Sequence, residues 1–340
     1  MSYNIELEKG YIIIIIFKNI IFFFMVFILL KITSNIENTI VMRYKQYWFN
    51  DIHKRINNTN KLKVCLCTLG KKENKYIREF ISHYNKYGID KIFLYDNNNI
   101  NDERFDNVIL DYTNNNYVKI LNYRGMKAPQ FKIFSDCYKK NNMKYDWLLF
   151  YDIDEYINLK DYNNIKDFLS EKKFINCKLI YLDCLRHTDN NLLYYDNRTL
   201  AERFPFINWN SNMITVKSMI RGNIKNVRFK TSHWLDRSIY GCNSFGEIIK
   251  PSNLKKLGKL NSYNSNNPKY YYIDHYCFKS TEEYVNKINK GDGIFGYNEK
   301  IKKHKINLYF LYNKVTLVKI NYIEKKTGID LGEYKLKLEN

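Results

Sequence analysis

Asp152, Asp154 and Glu155 stand together in the run Asp152-Ile153-Asp154-Glu155, directly after the apolar segment Trp147-Leu148-Leu149-Phe150-Tyr151. On an extended chain the two aspartates project to one side. Two hard carboxylates so placed can hold Mg²⁺ or Mn²⁺ beside a diphosphate, because oxygen ligands suit these ions. A D-x-D pair alone is a weak signal; here the apolar run continues up to Asp152, so the acids edge a core instead of lying on a solvated face. Asp96 follows the apolar run Lys91 to Tyr95 in the same manner. A carboxylate there can accept hydrogen bonds from a nucleobase or ribose, and an Asx turn capping the loop accounts for it equally. His275 follows Tyr270 to Asp274 and can complete a metal shell with the two aspartates, since an imidazole suits Mn²⁺. His233 is the second candidate imidazole. Lys217, Arg221 and Lys279 carry the charge needed to screen a leaving diphosphate, although each is otherwise an ordinary surface cation.

The elements that must position these groups follow a strand–helix rhythm. Lys63 to Leu69 alternates and is bounded by Gly70, a strand signal. Ile77, Phe80, Ile81, Tyr84 and Tyr87 recur at helical spacing, with Gly88 where a helix stop belongs. Lys91 to Tyr95, Val118 to Asn122 and Trp147 to Tyr151 read as further strands. Pro129 suits a first helical turn ahead of the stripe Phe131, Phe134 and Tyr138. Such alternation predicts an α/β fold, a mainly parallel sheet flanked by helices on both faces. Ligands of such sheets bind beyond the carboxyl ends of the strands. The polar clusters Thr68 to Glu73, Asp96 to Asn99 and Asp152 to Glu155 fall at those ends. In the second half, Met213 to Ile220 and Tyr270 to Phe278 read as strands. Thr281 to Lys290 reads as a helix with a threonine cap, Glu282 and Glu283 in its first turn, and Gly291 as its stop.

The chain has 340 residues, with 55 Lys+Arg against 35 Asp+Glu and a formal net charge of +20. Its hydrophobic content of 45% is enough for a packed core and excludes a disordered polyelectrolyte. The lysines are spread without a dense stripe, which argues against nucleic acid as the partner. Heavy use of Lys, Asn, Ile, Tyr and Phe is what an AT-rich coding sequence produces. Residues Tyr11 to Ile32 are almost wholly apolar, and at ~1.5 Å per residue they extend roughly 33 Å, enough to cross a hydrocarbon core. Lys18 interrupts the span at a cost of about 2.5–3.5 kcal/mol, which the surrounding Ile, Phe, Leu and Val side chains offset. No small-residue cleavage site follows, so a retained anchor is expected. The positive charges after it vote weakly for a cytosolic C-terminal part. Seven cysteines occur without a C-x-x-C pair, which leaves a zinc ribbon unsupported. They read mostly as buried small hydrophobes, with disulfides open to a lumenal domain. The sequons at Asn57 and Asn197 are what chance supplies in an Asn-rich chain.

Three segments together resemble a known family: Glu73 to Asn99, Gln130 to Ile157, and His275 to Gly291. The runs Trp147-Leu-Leu-Phe-Tyr-Asp-Ile-Asp-Glu-Tyr156 and His275-Tyr…Lys279-Ser…Glu282-Glu-Tyr…Lys…Gly291 are the most specific. The pattern, spread over roughly residues 63 to 292, resembles glycosyltransferase family 92 (the DUF23 type) and its family-2-like relatives. The resemblance implies a GT-A fold, a nucleotide-sugar donor, Mn²⁺ or Mg²⁺, and inversion at the anomeric carbon. It implies Asp96 at the donor base, Asp152 and Asp154 at the metal and ribose, and His275 late in the site; the expected metal ligands are Asp152, Asp154 and His275, and Thr68, Gln130 and Lys279 join Asp96 and Asp152 as expected donor contacts. Glu73, Glu155, Lys217 and His233 are further candidates. Gly70-Lys71-Lys72-Glu73-Asn74 departs from the lysine-asparagine-glutamate of many members, which puts the role of Glu73 in doubt.

The expected organisation is a tail over 1–10, a transmembrane anchor over 11–32, a stalk over 33–61, a GT-A domain over 62–310 and a basic helical extension over 311–340. The expected reaction is single displacement, with a carboxylate deprotonating an acceptor hydroxyl; Glu202 and Asp236 are the candidate bases. The donor is expected to be a UDP-linked hexose such as galactose, and the acceptor a glycan. The enzyme would face the Golgi or ER lumen in a eukaryotic or viral setting, or the cytosol from a bacterial inner membrane. The alternative is a catalytically inactive carbohydrate-binding protein on the same fold.

Overall fold

The computed structural model describes residues 62–127, 129–208, 215–225, 227–229, 239–249, 271–291 and 298–339. The expected anchor, the stalk up to residue 61, His233 and Asp236 lie outside them. Among the described residues no helix is long and apolar enough to cross a membrane.

Strands β1 (Val64–Gly70), β2 (Lys91–Asp96), β3 (Val118–Asn122) and β4 (Trp147–Phe150) form one half of a sheet in the order β3-β2-β1-β4, every pair parallel. Helix α1 (Asn74–Lys86) links β1 to β2, the short α2 (Leu110–Asn114) precedes β3, and α3 (Gln130–Asn141) links β3 to β4. The strands read as continuous apolar runs because both faces are covered. Val64, Leu66, Trp147 and Leu149 face the core that holds Ile77 and Phe80 of α1. Their strand neighbours Cys65, Cys67, Leu148 and Phe150 face the core that holds Ile133 and Phe134 of α3.

The second half departs from a mainly parallel sheet. After β5 (Glu155–Asn158), α4 (Ile165–Leu169) and β6 (Leu179–Arg186) come α5 (Leu200–Arg203), β7 (Thr215–Arg221), β8 (Gly241–Cys242), β9 (Ile248–Ile249) and β10 (Tyr272–His275). The order continues β4-β7-β6-β10-β5, with β7 antiparallel to β4 and β6, β10 parallel to β6, and β5 antiparallel to β10. The sheet is therefore mixed. Helix α6 (Thr281–Asn289) is capped by Ser280, not Thr281: the Ser280 side chain accepts from the Glu283 amide while Glu283 reaches back, a full capping box.

Helices α7 (Glu299–Tyr312), α8 (Leu317–Thr327) and α9 (Gly332–Glu339) complete the chain. Tyr309 of α7 and Ile320 and Ile323 of α8 share a core with Tyr284 and Ile288 of α6. Helix α7 runs across the expected boundary at 310, and the residues beyond it pack on the element that carries the third family segment. Two disulfides cross the fold. Cys67 of β1 pairs with Cys137 of α3, and Cys177 pairs with Cys242 of β8. The remaining cysteines, Cys65, Cys184 and Cys277, are free and buried.

Candidate active site

The acidic run does not stay extended past β4. The amide of Glu155 donates to the carbonyl of Asp152 at 3.0 Å, and the amide of Asp152 donates to Glu155 Oε2 at 3.0 Å. A tight turn, closed from both sides, brings the carboxylates of Asp152, Asp154 and Glu155 to within 4.8 Å of one another. Ile153, between the aspartates, packs over Gly70 at the end of β1. A β-carbon at Gly70 would lie 2.5 Å from both Ile153 Cδ1 and Phe105 Cζ, so a larger residue there would have to push these side chains aside.

Elements distant in sequence hold the acids. Asp152 accepts from Gln130 Nε2 of α3 at 3.0 Å and from Lys217 Nζ of β7 at 2.7 Å. The fully buried Lys217 also reaches Glu155 Oε2 at 3.0 Å. Burial works against its charge, but Asp152 and Glu155 outweigh it and hold the ammonium above the usual lysine range. Burial, opposed by Lys217 and reinforced by Asp152 and Asp154, pushes Glu155 up to about 8. Asp154 accepts from Lys287 Nζ of α6 at 2.5 Å. Burial would raise its carboxyl, yet Lys287, His275 and Lys279 hold it well below the usual range.

His275 ends β10 directly opposite Glu155 of β5. Its Nε2 lies 3.7 Å from Asp154 Oδ1 and 3.8 Å from Glu155 Oε1. Burial, against the pull of Asp154, keeps the ring neutral. Cys184 of β6 closes the group from behind, its Sγ 3.9 Å from Glu155 Oε1. The oxygens of Asp152, Asp154 and Glu155, with the His275 imidazole beside the last two, form a donor set that fits a hard divalent ion such as Mn²⁺.

A second ion-pair cluster adjoins the first. Glu73, at the N-cap of α1, pairs with Lys279 at 3.3 Å and with Lys290. Burial raises the Glu73 carboxyl, but Lys279 and Lys290 bring it below its ordinary value. Lys279 itself is lowered by burial and lies 3.3 Å over the ring of Tyr76. The structure thus brings together Glu73, Gln130, Asp152, Asp154, Glu155, Lys217, His275 and Lys279.

Other expected residues are employed differently. Asp96 is tied by Arg124 Nη1 at 2.7 Å and by the amide and side chain of Asn98 at 2.9 and 2.8 Å. Asn98 in turn accepts from the Lys72 amide at 2.7 Å, so the Asx-turn reading describes what the Asp96 carboxylate does in this structure. Thr68 is fully buried, and its hydroxyl has no hydrogen-bond partner among the described residues. Glu202 spends its carboxylate on the Thr199 amide and hydroxyl at the start of α5, at 2.9 and 2.7 Å. Arg221 sits at the opposite end of the sheet, over the Trp147 ring and bonded to the carbonyls of Cys177 and Phe174, away from any diphosphate near Asp152.

Lys287, Lys290 and Cys184 were not singled out by the sequence reading. Glu283 and Lys287 of α6 and Lys290 at its C-cap recur at i, i+4 and i+7, a spacing that puts all three on one face. An open cleft of about 420 Å³ runs along the outer flank of α1, lined in part by Lys75, Arg78, Glu79, Tyr195 and Arg198. It is apart from the acids, and Arg78 and Arg198 in it are already paired with Asp111 and Asp196.

The model for glycosyltransferase family 92 matches residues 60–245. A family 92 protein of Oryza sativa subsp. japonica is 26% identical over 118 residues, covering 34% of this chain and 18% of that protein. One of Ricinus communis is 29% identical over 116 residues, covering 34% of this chain and 19% of that protein. The chain therefore matches less than a fifth of the length of these curated relatives. Among solved structures, Staphylococcus aureus TarS in complex with UDP-GlcNAc is similar at 15% identity and a TM-score of 0.36, over 80% of each chain. The mannosyltransferase PcManGT of Pyrobaculum calidifontis, in complex with GDP-Man and Mn²⁺, is similar at 8% identity and a TM-score of 0.28, over 36% of each chain.

Proposed function

From the premise that this chain belongs to glycosyltransferase family 92, we propose that it moves a hexosyl group from a nucleotide-sugar donor to a hydroxyl of a glycan. The observation that carries the proposal is the convergence of Asp152, Asp154 and Glu155 just past the carboxyl end of β4, with His275 of β10 against Asp154 and with Lys217, Lys279 and Lys287 around them. The parallel order β3-β2-β1-β4 with the acids after β4 supports a GT-A type of sheet.

Asp152, Asp154 and His275 would hold the divalent ion, Mn²⁺ or Mg²⁺. When bound, such an ion neutralises charge on a departing diphosphate. The chain's own contribution is to orient and to neutralise. Gln130 and Lys217 fix the Asp152 carboxylate from two sides. Lys287, paired with Asp154 here, would with Lys279 and Lys290 supply the positive charge that a diphosphate at the acids needs. The donor's nucleoside would lie at the ends of β2 and β1, where Asp96 would have to exchange its Arg124 or Asn98 contact for one to the nucleoside and where Thr68 is fully buried. The acceptor hydroxyl loses its proton to a carboxylate as its oxygen attacks the face of the sugar opposite the diphosphate, which inverts the anomeric carbon. Glu202 is engaged by Thr199, so Asp236 is the first candidate base to substitute. A UDP-linked hexose, galactose first, is the donor to try.

A membrane anchor over 11–32 and a lumenal position belong to the same proposal. The disulfides Cys67–Cys137 and Cys177–Cys242 support an oxidising compartment.

The test is calorimetric titration of the full chain with UDP, GDP and CMP, each with and without Mn²⁺. Metal-dependent tightening for one nucleotide, lost in Asp154→Ala, is the expected result. A folded chain that binds glycans but no nucleotide would replace this reading with that of a carbohydrate-binding protein.

A further inference from the structure

Chance accounts for a sequon at Asn197, but not for where the fold puts it. Asn197-Arg198-Thr199 lies in the irregular segment that leads into α5. Its neighbours are committed. Asp196 accepts from the Arg198 amide at 3.0 Å, an Asx turn with Asn197 at its tip, and from Arg198 Nη2 at 2.6 Å. The Thr199 hydroxyl donates to Glu202 at 2.7 Å and accepts from the Glu202 amide, which caps α5. Asn197 between them is exposed, and its side-chain amide bonds to none of the described residues.

Asn197 also lines the open cleft of about 420 Å³ on the flank of α1, a volume within the range of small-molecule sites. Ser82, Tyr112 and Tyr195 give that cleft a polar wall. Its arginines are neutralised in place, Arg78 by Asp111 and Arg198 by Asp196, so the cleft offers an anion little unspent charge. Donors and acceptors remain for a neutral, hydroxyl-rich group. One is Arg203, fully buried in the same lining, whose Nε–H has no hydrogen-bond partner among the described residues and lies 3.9 Å from Asp196. We propose that Asn197 is a site of N-linked glycosylation. The cleft beside it supplies the room that the first sugars need.

The co-reactant is an oligosaccharide carried on a lipid diphosphate. The Asn197 amide nitrogen bonds to its anomeric carbon and the C–O bond to the diphosphate breaks. The diphosphate leaves with that electron pair, and the amide gives up one proton. Thr199 completes the Asn-x-Thr pattern that this transfer requires. A glycan is bulky and solubilising, which an exposed loop tolerates and a strand or a core does not. The modification rests on the lumenal position proposed above, which the disulfides Cys67–Cys137 and Cys177–Cys242 support on separate grounds.

The full chain, made in cultured eukaryotic cells with Asn57→Gln to remove the other sequon, reads the site alone. One step of slower electrophoretic mobility is expected. Peptide N-glycosidase should reverse it and leave aspartate at 197, which peptide mass spectrometry detects. Thr199→Ser, which keeps both the sequon and the cap, should retain the step, and Asn197→Gln should lose it. The readout is a mass, so a variant that folds poorly still reports. A step that survives Asn197→Gln overturns the proposal. So does an unshifted chain, and alkylation of the same sample then separates two failures. Protected Cys67, Cys137, Cys177 and Cys242 leave the lumenal position standing without the glycan, whereas seven reactive cysteines remove both.

Discussion

Glu283 of α6 receives both terminal nitrogens of Arg203, at 2.7 and 3.1 Å, and both side chains are buried. The same carboxylate accepts from Tyr76 of α1 at 2.5 Å and from Ser280 at 2.5 Å. One acid therefore joins α1, α5 and α6, and α6 is the helix that delivers Lys287 to Asp154. Breaking a buried pair leaves an uncompensated charge, at a cost of about 3–5 kcal/mol. Arg203→Met and Glu283→Gln should each lower unfolding stability by roughly that amount. The double variant should lose less than the sum, because it strands neither partner. Denaturant titration of the four proteins reads the coupling, and strict additivity would show that the pair contributes nothing.

Lys287 competes with any ion for Asp154. A charge-assisted hydrogen bond is worth about 1.5–3 kcal/mol, and the lysine side chain retains 30% exposure, which reduces that value. Lys287→Met should therefore tighten Mn²⁺ binding about tenfold in the absence of nucleotide. The same variant should lower the rate of transfer, since the cation expected at the diphosphate is gone. Calorimetry with Mn²⁺ alone measures the first effect and steady-state turnover the second. Weaker Mn²⁺ binding in Lys287→Met would mean that the lysine holds Asp154 in place for the ion instead of competing with it.

How much of this site was legible depended on the distance between cause and effect along the chain. The strand-end acids Asp152 and Asp154 could be read because a buried strand must end before carboxylates begin, a local rule. His275 could be placed beside them from the third segment. The closed turn at Asp152–Glu155 could not, because it depends on Glu155 folding back to its own N-terminal neighbour. The mixed sheet was equally hidden: β7 looks like any apolar strand, and nothing in its sequence says that it runs antiparallel between β4 and β6. Arg221 illustrates the same limit. Its charge suggested a phosphate, while the register puts it opposite Trp147, a full strand away from the acids. The Cys67–Cys137 and Cys177–Cys242 pairs lie 70 and 65 residues apart in sequence, and spacing alone does not select them.

Those disulfides should carry part of the stability. Constraining an unfolded chain over such separations typically contributes about 2–4 kcal/mol per bridge. Cys67–Cys137 also fastens β1 to α3, the helix whose first residue, Gln130, orients Asp152. Cys137→Ser should lower stability by that amount and weaken Mn²⁺ binding modestly through a looser Asp152. Alkylation gives an independent check on the bonds. Unfolded without reductant, the chain should take up label at its three free cysteines, and at all seven after reduction. Seven labels without reductant would remove the support for an oxidising compartment.

Stability should also fall in acid through His83 on α1. Burial pushes its imidazole down to about 4, against the pull of the Ile157 carbonyl, to which Nε2 donates at 2.9 Å, and of Asp274. The unfolded ring titrates near its ordinary 6.5. Above that pH the ring is neutral in both states and the fold keeps its full advantage. Between about 6.5 and 4 the unfolded chain binds the extra proton, so stability declines as pH falls; below about 4 both states are protonated and the term is spent. The shift corresponds to roughly 3 kcal/mol, reduced to about 2 because the half-buried ring is partly screened by water. Carboxylates such as Glu73 and Glu283, held below their usual range, lose stability in acid as well, so the parent curve alone is not diagnostic. His83→Gln keeps an N–H for the Ile157 carbonyl but cannot titrate. Urea unfolding of the two proteins from pH 7 to pH 4 should show the variant losing about 2 kcal/mol less than the parent, and parallel curves would mean that His83 protonates in the fold as easily as in water.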